Sequence, residues 1–220
     1  MEVPRMNRIS KGIMYIVSIL NMVGVCFVYP DLPKQIPIRW DVDWNISDWA
    51  DKKFIFILAF IPLLLLILFQ VLPKIDPRRK NYEKHKKAYF IMEMVIVLFL
   101  IIMVWITIAA ALDIKMNLRL ILPSLLGVLF IILGNYMPII KSNYFFGIRN
   151  PWTLSNETVW RKTHRVGGYI FAIMGVIMFI STIIVHEGGI ISFIVLVIGI
   201  LAINIYSYLL YRKESLNKMN

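Results

Sequence analysis

The sequence predicts an all-α integral membrane protein with six transmembrane helices, both termini in the cytoplasm and one short β-like external loop. Three observations lead to this prediction: an apolar composition, six long apolar stretches, and an uneven distribution of basic residues among the segments that join them. Of the 220 residues, 59% are apolar and 17% are charged, whereas soluble domains are about half apolar and about a quarter charged. This composition excludes an intrinsically disordered chain. The single cysteine, Cys26, excludes an internal disulfide framework.

The six apolar stretches set the number of helices. The hydrocarbon core of a bilayer is about 30 Å thick and needs about 20 apolar residues in helical form to cross it. None of the stretches carries the polar stripe that a surface helix of a soluble protein shows. The predicted spans are residues 12–29, 54–72, 88–112, 118–137, 166–185 and 189–211.

The basic residues orient these helices. The chain has 24 Lys and Arg against 13 Asp and Glu, which gives a net charge of +11. Eighteen of the 24 lie in the two terminal tails and in loops 73–87 and 138–165, which share one side of the membrane if all six stretches span it. The positive-inside rule assigns that side to the cytoplasm. The net charge therefore reflects membrane orientation, and we expect no direct binding of nucleic acid.

The external loop, residues 30–53, predicts extended structure. Apolar and polar residues alternate strictly from Ile36 to Ser47, and a period of two is typical of a strand. The alternation fits either one strand or a hairpin that turns near Asp41–Asp43. In both cases one face is apolar and aromatic, and the other is acidic.

Two functions fit this external loop. Its tryptophans can be interfacial anchors, because tryptophan favours the headgroup layer of a bilayer. Alternatively the loop captures an extracellular peptide or lipid, and its five aspartates favour a cationic ligand. The candidate ligand-binding residues are Pro33, Pro37, Trp40, Asp43, Trp44 and Asp48.

The cytoplasmic loop 138–165 is too rich in glycine, proline and aromatic residues to be a plain linker. Gly147 permits a tight or left-handed turn. Pro151 restricts the preceding Asn150 to an extended conformation. Ser155 is predicted to cap a short helix that follows the turn.

The same loop carries a long motif. Residues 143–155 read N-Y-F-F-G-I-R-N-P-W-T-L-S, and residues 157–165 read E-T-V-W-R-K-T-H-R. The two strings resemble the SdpI-type bacterial immunity proteins, in which N-x-x-x-G-I-R-T-P-W-T-L leads into V-W-x-K-T-x-R. Residues 32–40, L-P-K-Q-I-P-I-R-W, resemble the small N-terminal domain often fused to that family. Asn150 and Arg39 stand where these patterns usually have Thr and His.

The resemblance implies a multi-pass protein of the bacterial cell membrane that protects its producer from a secreted, membrane-active peptide toxin. The implied partners are membrane lipids, a cationic or amphipathic peptide toxin and, in part of the family, a cytosolic repressor that is held at the membrane for signalling. The implied division is an N-terminal two-span unit (1–72), a basic cytoplasmic loop (73–87) and an SdpI-like four-span unit (88–220). The residues expected to carry the function are Asn143, Gly147, Arg149, Pro151, Trp152, Trp160 and His164. The same residues also fit a purely structural element that closes the helix bundle.

Catalysis has no support in the sequence. The three histidines, His85, His164 and His186, fall on different loops, and the sequence has no His-x-x-x-His or Cys/His cluster. It also lacks a Gly-x-Ser-x-Gly elbow and a phosphate-cradling glycine loop. We therefore expect that the protein is not an enzyme and holds neither a cofactor nor a metal.

Glu93 is the one acidic residue within a predicted span. A carboxylate inside a membrane is costly, and its position suggests a function by default. We favour a helix-end carboxylate that pairs with Lys86 or Lys87. The alternative is a transporter or exporter of a small peptide or solute that uses Glu93 and the asparagines within the spans. The asparagines within the spans are predicted to form interhelical hydrogen bonds; they are Asn21, Asn135 and Asn204.

Overall fold

The computed structural model describes residues 4–41, 44–184 and 188–217, with side chains from residue 11 in the first range and from residue 189 in the third. These ranges are helical apart from one two-stranded sheet and the connecting turns. The strands are β1 (Gln35–Trp40) and β2 (Ile46–Asp51). The helices are α1 (Pro4–Val28), α2 (Phe54–Ile75), α3 (Lys80–Lys84), α4 (Lys86–Ala111), α5 (Leu118–Tyr136), α6 (Pro151–Ser155), α7 (Glu157–Ile184) and α8 (Gly188–Leu216).

Six of these helices, α1, α2, α4, α5, α7 and α8, are long and apolar enough to cross a membrane. The six predicted spans are therefore confirmed. Many large apolar side chains on these helices are exposed in the isolated chain. Such a surface is expected where helices contact lipid instead of water.

The fifth span begins earlier than predicted. Helix α7 runs from Glu157 to Ile184 without a break, so the predicted short helix is its first part. The predicted cap at Ser155 is also wrong, because the Asn156 Oδ1 atom accepts the backbone N–H groups of Thr158 at 2.8 Å and Val159 at 3.2 Å. A capping side chain must stand directly before the first helical residue. Ser155 belongs instead to the end of α6.

The external loop is a hairpin, which decides between the two structures predicted for it. Strands β1 and β2 pair in antiparallel fashion, from Gln35 opposite Asp51 to Trp40 opposite Ile46. The ladder is irregular on both sides of Arg39, where the register shifts. Such bulges bend a strand and increase its twist.

The chain forms two compact units, and the boundaries between them lie inside α2 and α4. The first unit comprises the described residues up to Gln70 together with Glu93–Asn117. The second comprises Val71–Met92 and the chain from Leu118 onward.

The first unit packs α1, α2 and α4 with the hairpin. Ile36 of β1 is fully buried, and the Lys52 ammonium after β2 donates to the carbonyl oxygens of Tyr29 at 3.4 Å and Leu32 at 3.2 Å. The predicted interhelical bond of Asn21 is confirmed, because its Nδ2 atom donates to the Ala59 carbonyl oxygen at 3.2 Å. One apolar cluster joins these elements: Val25, Leu32, Ile36, Ile55, Ala59, Val104, Ile108 and Ala111.

The second unit depends on close contact between α5 and α7. A Cβ atom added at Gly127 would lie 2.6 Å from the Gly175 carbonyl oxygen, and one added at Gly134 would lie 2.6 Å from the Gly168 carbonyl oxygen. We call these four residues the glycine contact. Because the earlier glycine of α5 meets the later glycine of α7, the two helices are antiparallel. Small residues allow membrane helices to approach to backbone distance.

The two remaining span asparagines behave differently. The Asn204 Oδ1 atom accepts a hydrogen bond from Asn150 Nδ2 at 3.3 Å, so α8 is linked to the residue that precedes α6. Asn135 is exposed, and its amide donates to the Ile131 carbonyl oxygen of its own helix. The prediction of an interhelical bond is therefore wrong for Asn135, because a bond to the preceding turn already satisfies its amide.

Replacing Gly134 by Val should destabilise the second unit. The new side chain would overlap the Gly168 carbonyl oxygen, and we expect a loss of about 1–3 kcal/mol in unfolding free energy. Gly12→Val is the matched control, since a Cβ atom at Gly12 meets nothing within 4 Å. Thermal unfolding of both variants in detergent measures the difference. Equal unfolding temperatures for the two variants would contradict the close approach of α5 and α7.

Candidate functional site

The two loops predicted to face the cytoplasm pack against each other in the second unit. We call residues 76–89 and 140–164 together the loop junction. The Asn81 side chain donates to the Ser142 carbonyl oxygen at 2.8 Å, and the Lys141 backbone N–H donates to His85 Nδ1 at 3.2 Å. The basic loop is therefore an ordered partner of the motif-bearing loop.

The Asp76 carboxylate lies at the centre of the loop junction. It is 2% exposed and accepts the backbone N–H of Arg78 at 2.7 Å, the Tyr82 hydroxyl at 2.9 Å and the backbone N–H of Tyr144 at 2.8 Å. Three donors of this kind satisfy a buried carboxylate. Burial and the Asp76 carboxylate together raise the pKa of Tyr82, so the tyrosine hydroxyl remains a donor. Asp76 thus joins the two loops.

Asn143 shapes the turn that enters the motif. Its side chain is fully buried, and its Oδ1 atom accepts the backbone N–H groups of Phe145 at 3.0 Å and Phe146 at 2.7 Å. Its Nδ2 atom donates to the Lys141 carbonyl oxygen at 2.9 Å. The Tyr82 hydroxyl lies 3.1 Å from the same Oδ1 atom, so its single hydrogen serves either Asn143 or Asp76 at one time.

Arg78 is the residue of the basic loop whose guanidinium contacts the motif-bearing loop. Its guanidinium donates to the Ser142 hydroxyl and, at 3.0 Å, to the Leu154 carbonyl oxygen. The same group lies 4.7 Å from the centre of the Tyr144 ring, a cation–π distance. Arg78 therefore holds the motif-bearing loop at three points.

His164, Trp160 and Gly147 form a second cluster. The imidazole Nε2 atom of His164 accepts the Ile148 backbone N–H at 3.0 Å, so the hydrogen lies on Nδ1, which donates to the Trp160 carbonyl oxygen at 2.9 Å. The Trp160 and His164 rings stack with centroids 4.0 Å apart, and the Trp160 indole donates to the Ile140 carbonyl oxygen at 2.9 Å. Gly147 has a φ angle of 105°, and a Cβ atom there would lie 2.5 Å from His164 Nε2. Only glycine fits this turn.

The remaining motif residues lie around α6. Arg149 is exposed, and its guanidinium donates to the Tyr144 carbonyl oxygen at 2.6 Å. Pro151 is the first residue of α6, after Asn150, which is extended as predicted and caps the helix. Trp152 packs edge-on against Tyr208 of α8, with ring centroids 5.3 Å apart.

The structure thus brings four predicted residues, Asn143, Gly147, Trp160 and His164, into the loop junction. The other three, Arg149, Pro151 and Trp152, belong to the same range of residues but lie around α6, outside the two hydrogen-bonded clusters. Sequence reasoning missed the partners from the basic loop. They are Asp76, Arg78, Asn81, Tyr82 and His85. The sequence offered one signal for them. Asp76, followed by Pro77, is an acid within a strongly basic loop, and the positive-inside rule gives no reason for an acid there.

A small cavity of about 200 Å³ opens beside the Trp160 indole. Lys141 and Arg161 supply its cationic groups, and Glu157 supplies an anion. All three are exposed. Among the residues that the structure describes, no group of three or more His, Cys, Asp or Glu side chains is placed to hold a metal ion.

The predicted ligand-binding residues of the external loop are spread over the hairpin and do not form one cluster. Pro37 is buried, Trp40 and Trp44 are half-buried, and Asp48 pairs with Arg39 at 3.8 Å. Trp44 has a φ angle of 63°, the left-handed conformation of a tight turn. Asp43 lies outside the described residues.

A groove of about 680 Å³ lies in the first unit where the hairpin meets the end of α4. Of the predicted ligand-binding residues that the structure describes, Pro33 alone lines this groove. Trp49, which is 47% exposed, presents its indole there. The lining residues are Pro33, Lys34, Gln35, Trp49, Asp51, Ala111 and Asp113.

Glu93 is 1% exposed, and neither carboxylate oxygen has a hydrogen-bond partner within the described part of the chain. The predicted pairing with Lys86 or Lys87 is therefore wrong. Both lysines are exposed near the start of α4, and Lys86 pairs with Glu83 at 3.1 Å. Six or seven helical residues separate them from Glu93, about 10 Å along the axis.

We expect the stability of the second unit to decrease as the pH falls through the range set by His85. Burial, with a smaller contribution from Lys141, lowers the pKa of His85 from 6.5 to about 4. Because the folded state favours neutral His85, this contribution is complete above about pH 6.5 and is lost as the pH approaches about 4. Its full size is of the order of 3 kcal/mol.

His85→Gln tests this expectation, since a glutamine oxygen can still accept the Lys141 N–H. Denaturant unfolding in detergent at about pH 7 and about pH 4.5 measures the pH dependence for both proteins. The variant should lose less stability than the wild type over this interval. Parallel curves for the two proteins would show that His85 does not report on folding.

Comparison with known proteins finds matches in both units. Residues 139–207 match the model of the SdpI/YfhL protein family, and residues 16–73 match a domain of unknown function, DUF1648. The chain is 29% identical over 206 residues to the Immunity protein SdpI of Bacillus subtilis (strain 168), an alignment that covers 93% of this chain and 97% of that protein. No solved structure matches the chain at a significant level. Both resemblances seen in the sequence are thereby confirmed: the chain is a multi-pass bacterial membrane protein that is similar to the SdpI/YfhL family over residues 139–207 and to DUF1648 over residues 16–73.

Proposed function

We propose that this protein confers immunity against a secreted, membrane-active peptide toxin. The observation that carries the proposal is the similarity to the Bacillus subtilis Immunity protein SdpI over nearly the full length of both chains. The family segments include the hairpin as well as the motif-bearing half of the loop junction. Immunity of this kind needs recognition of a peptide and no catalytic step.

The groove beside the hairpin is the place where the toxin would bind. A toxin that arrives from outside meets the external loop first, given the orientation that the basic residues predict. The exposed Trp49 indole offers an apolar face, and Asp51 and Asp113 offer carboxylates. Aromatic faces and carboxylates together suit the apolar and basic residues of a cationic, amphipathic peptide.

Two cations of the hairpin region, Lys52 and Arg39, are engaged outside the groove, which favours binding of a cationic ligand. The Lys52 ammonium points to backbone carbonyl oxygens of the first unit and lies 4.5 Å from the centre of the Tyr29 ring. Arg39 pairs with Asp48. Among the groove-lining residues, Lys34 is therefore one cation against the carboxylates of Asp51 and Asp113.

Expression in a toxin-sensitive bacterium tests the proposal. We expect the wild type to raise the growth-inhibiting concentration of at least one secreted bacterial peptide toxin from a panel, with a strain that expresses the Bacillus subtilis protein as the positive control. The double variant Asp51→Asn/Asp113→Asn should reduce protection about tenfold, which corresponds to about 1.4 kcal/mol of binding free energy. Asparagine keeps the Asp51 oxygen that accepts the Lys53 N–H and tolerates the left-handed backbone of Asp113.

The matched control is Asp48→Asn, which removes a carboxylate from the same hairpin but not from the groove. It should leave protection nearly unchanged. If Asp48→Asn lowers protection and the double variant does not, the toxin binds elsewhere on the hairpin. If no toxin in the panel is resisted by the wild type while the control strain survives, the immunity proposal fails.

A second proposal concerns signalling through a cytosolic repressor. The basic loop presents six exposed bases on a backbone held by the loop junction; they are Lys74, Arg79, Lys80, Lys84, Lys86 and Lys87. Together with the exposed Arg149, they offer a fixed cationic surface to a protein. We expect a cytosolic DNA-binding protein to co-purify with the wild type and to be lost on Arg149→Ala, while the variant keeps its unfolding temperature. Equal recovery of that protein with wild type and variant would exclude Arg149 from the contact.

The alternative function, transport of a small peptide or solute, predicts different effects of mutation. It requires that Glu93→Gln abolish movement of the solute while Trp160→Ala has little effect. Immunity by capture at the external groove requires neither result.

A further inference from the structure

We propose that Glu93 is the binding site of a monovalent cation, either a proton or a sodium ion, where α1, α2 and α4 pack together in the first unit. This inference does not depend on the immunity proposal. It starts from a buried acidic group that neither the loop junction nor the external groove uses.

The carboxylate of Glu93 is isolated. Its side chain is 1% exposed, and both oxygens lack a hydrogen-bond donor among the described residues. A buried ionised carboxylate without a partner is strongly unfavourable, so such a group either takes up a proton or coordinates a cation. Asp76 in the same chain shows the contrast, since its buried carboxylate accepts three hydrogen bonds.

The charged and titratable groups around Glu93 do not neutralise it. Helix α1 contributes Lys11 and Tyr15, which are near enough for an electrostatic interaction but form no ion pair or hydrogen bond with Glu93. Helix α2 contributes uncharged groups, among them Gln70, which is hydrogen-bonded to Tyr15. The apolar residues at this packing site are Met14, Leu66, Val97 and Ile101.

Two further buried oxygens without a partner among the described residues, Ser18 Oγ and Asn21 Oδ1, belong to α1. Lys11, Tyr15 and Ser18 are spaced by four and three residues, so they stand one above another on successive turns. The Ser18 hydroxyl is fully buried, and neither it nor the Asn21 Oδ1 atom has a hydrogen-bond partner in the described part of the chain. Hydroxyl, amide and carboxylate oxygens are the ligands that hard cations prefer.

A cation bound here would link the first unit to the ion gradients of the cell. Occupied, the site is neutral and the three helices can pack around it; empty, it leaves a buried charge that favours their separation. Charges that move within a membrane respond to the transmembrane potential. The proposed site is therefore a means by which the energised state of the membrane can act on the packing of α1 against α4.

Carbodiimide labelling tests the proposal on the full-length protein reconstituted in phosphatidylcholine vesicles. N,N′-dicyclohexylcarbodiimide adds across a protonated carboxyl group in apolar surroundings and leaves an N-acylurea, so peptide mass spectrometry locates the label. In sodium-free choline buffer we expect Glu93 to be labelled at about pH 5. The label should fall about tenfold per pH unit above the midpoint of its titration. Asp76 is the internal control, because its buried carboxylate is occupied by three hydrogen bonds and should not be labelled.

Two further arms identify the cation. Protection of Glu93 by added sodium chloride, but not by choline chloride, would assign sodium as a ligand; labelling that follows pH and ignores sodium would assign the proton. Either result supports the site. Labelling of Glu93 no greater than that of Asp76 at every pH, or labelling that changes with neither pH nor sodium, would overturn the proposal. Glu93→Gln confirms the assignment of the label, and mapping in the wild type keeps the test valid if that variant does not fold.

Discussion

The Asp76 carboxylate connects segments of the second unit that are 68 residues apart along the chain. On one side it fixes the start of the basic loop through Arg78 and Tyr82; on the other it holds the backbone of Tyr144 at the beginning of the motif. A carboxylate that is buried in the protein in this way is stable only while its hydrogen-bond donors stay in place. The positions of Arg78 over Tyr144, of the Asn143 turn and of α6 all depend on this arrangement. The loop junction is therefore ordered by one charge and its three donors.

Two buried acids of the chain, Asp76 in the second unit and Glu93 in the first, have different surroundings. The second unit surrounds its acid with donors and assigns both nitrogens of His164 to backbone groups. The first unit leaves Glu93, Ser18 and one oxygen of Asn21 without partners among the residues described. Buried polar atoms in native proteins are normally satisfied. The difference between the two buried acids, Asp76 with three donors and Glu93 with none among the described residues, is the reason to regard Glu93 as a candidate cation site; the second unit also holds buried atoms without a partner, His85 Nε2 and Thr163 Oγ1.

Sequence reasoning recovered the features that local pattern determines. Six spans follow from stretches of apolar residues, and extended structure in the external loop follows from the alternation that begins at Ile36, although that pattern left open whether the loop is one strand or a hairpin. Gly147 and Asn150 were also predictable, since a left-handed turn and a residue before proline each have a local steric cause. Asp76 and Tyr82 were not predictable, because their roles depend on donors and acceptors more than 60 residues away. The pairing expected for Glu93 failed for a related reason: proximity along a helix does not show which side chains meet.

The glycine contact has a mechanical consequence. Because the carbonyl oxygens of α5 and α7 stand where side chains would otherwise be, neither helix can turn about its own axis without driving a larger residue against the partner backbone. The contact also repeats after seven residues on each helix, from Gly127 to Gly134 and from Gly168 to Gly175. Two such points prevent tilting as well as rotation. We therefore expect the antiparallel pair to move as one rigid body, because both points of contact would have to open before one helix could shift against the other.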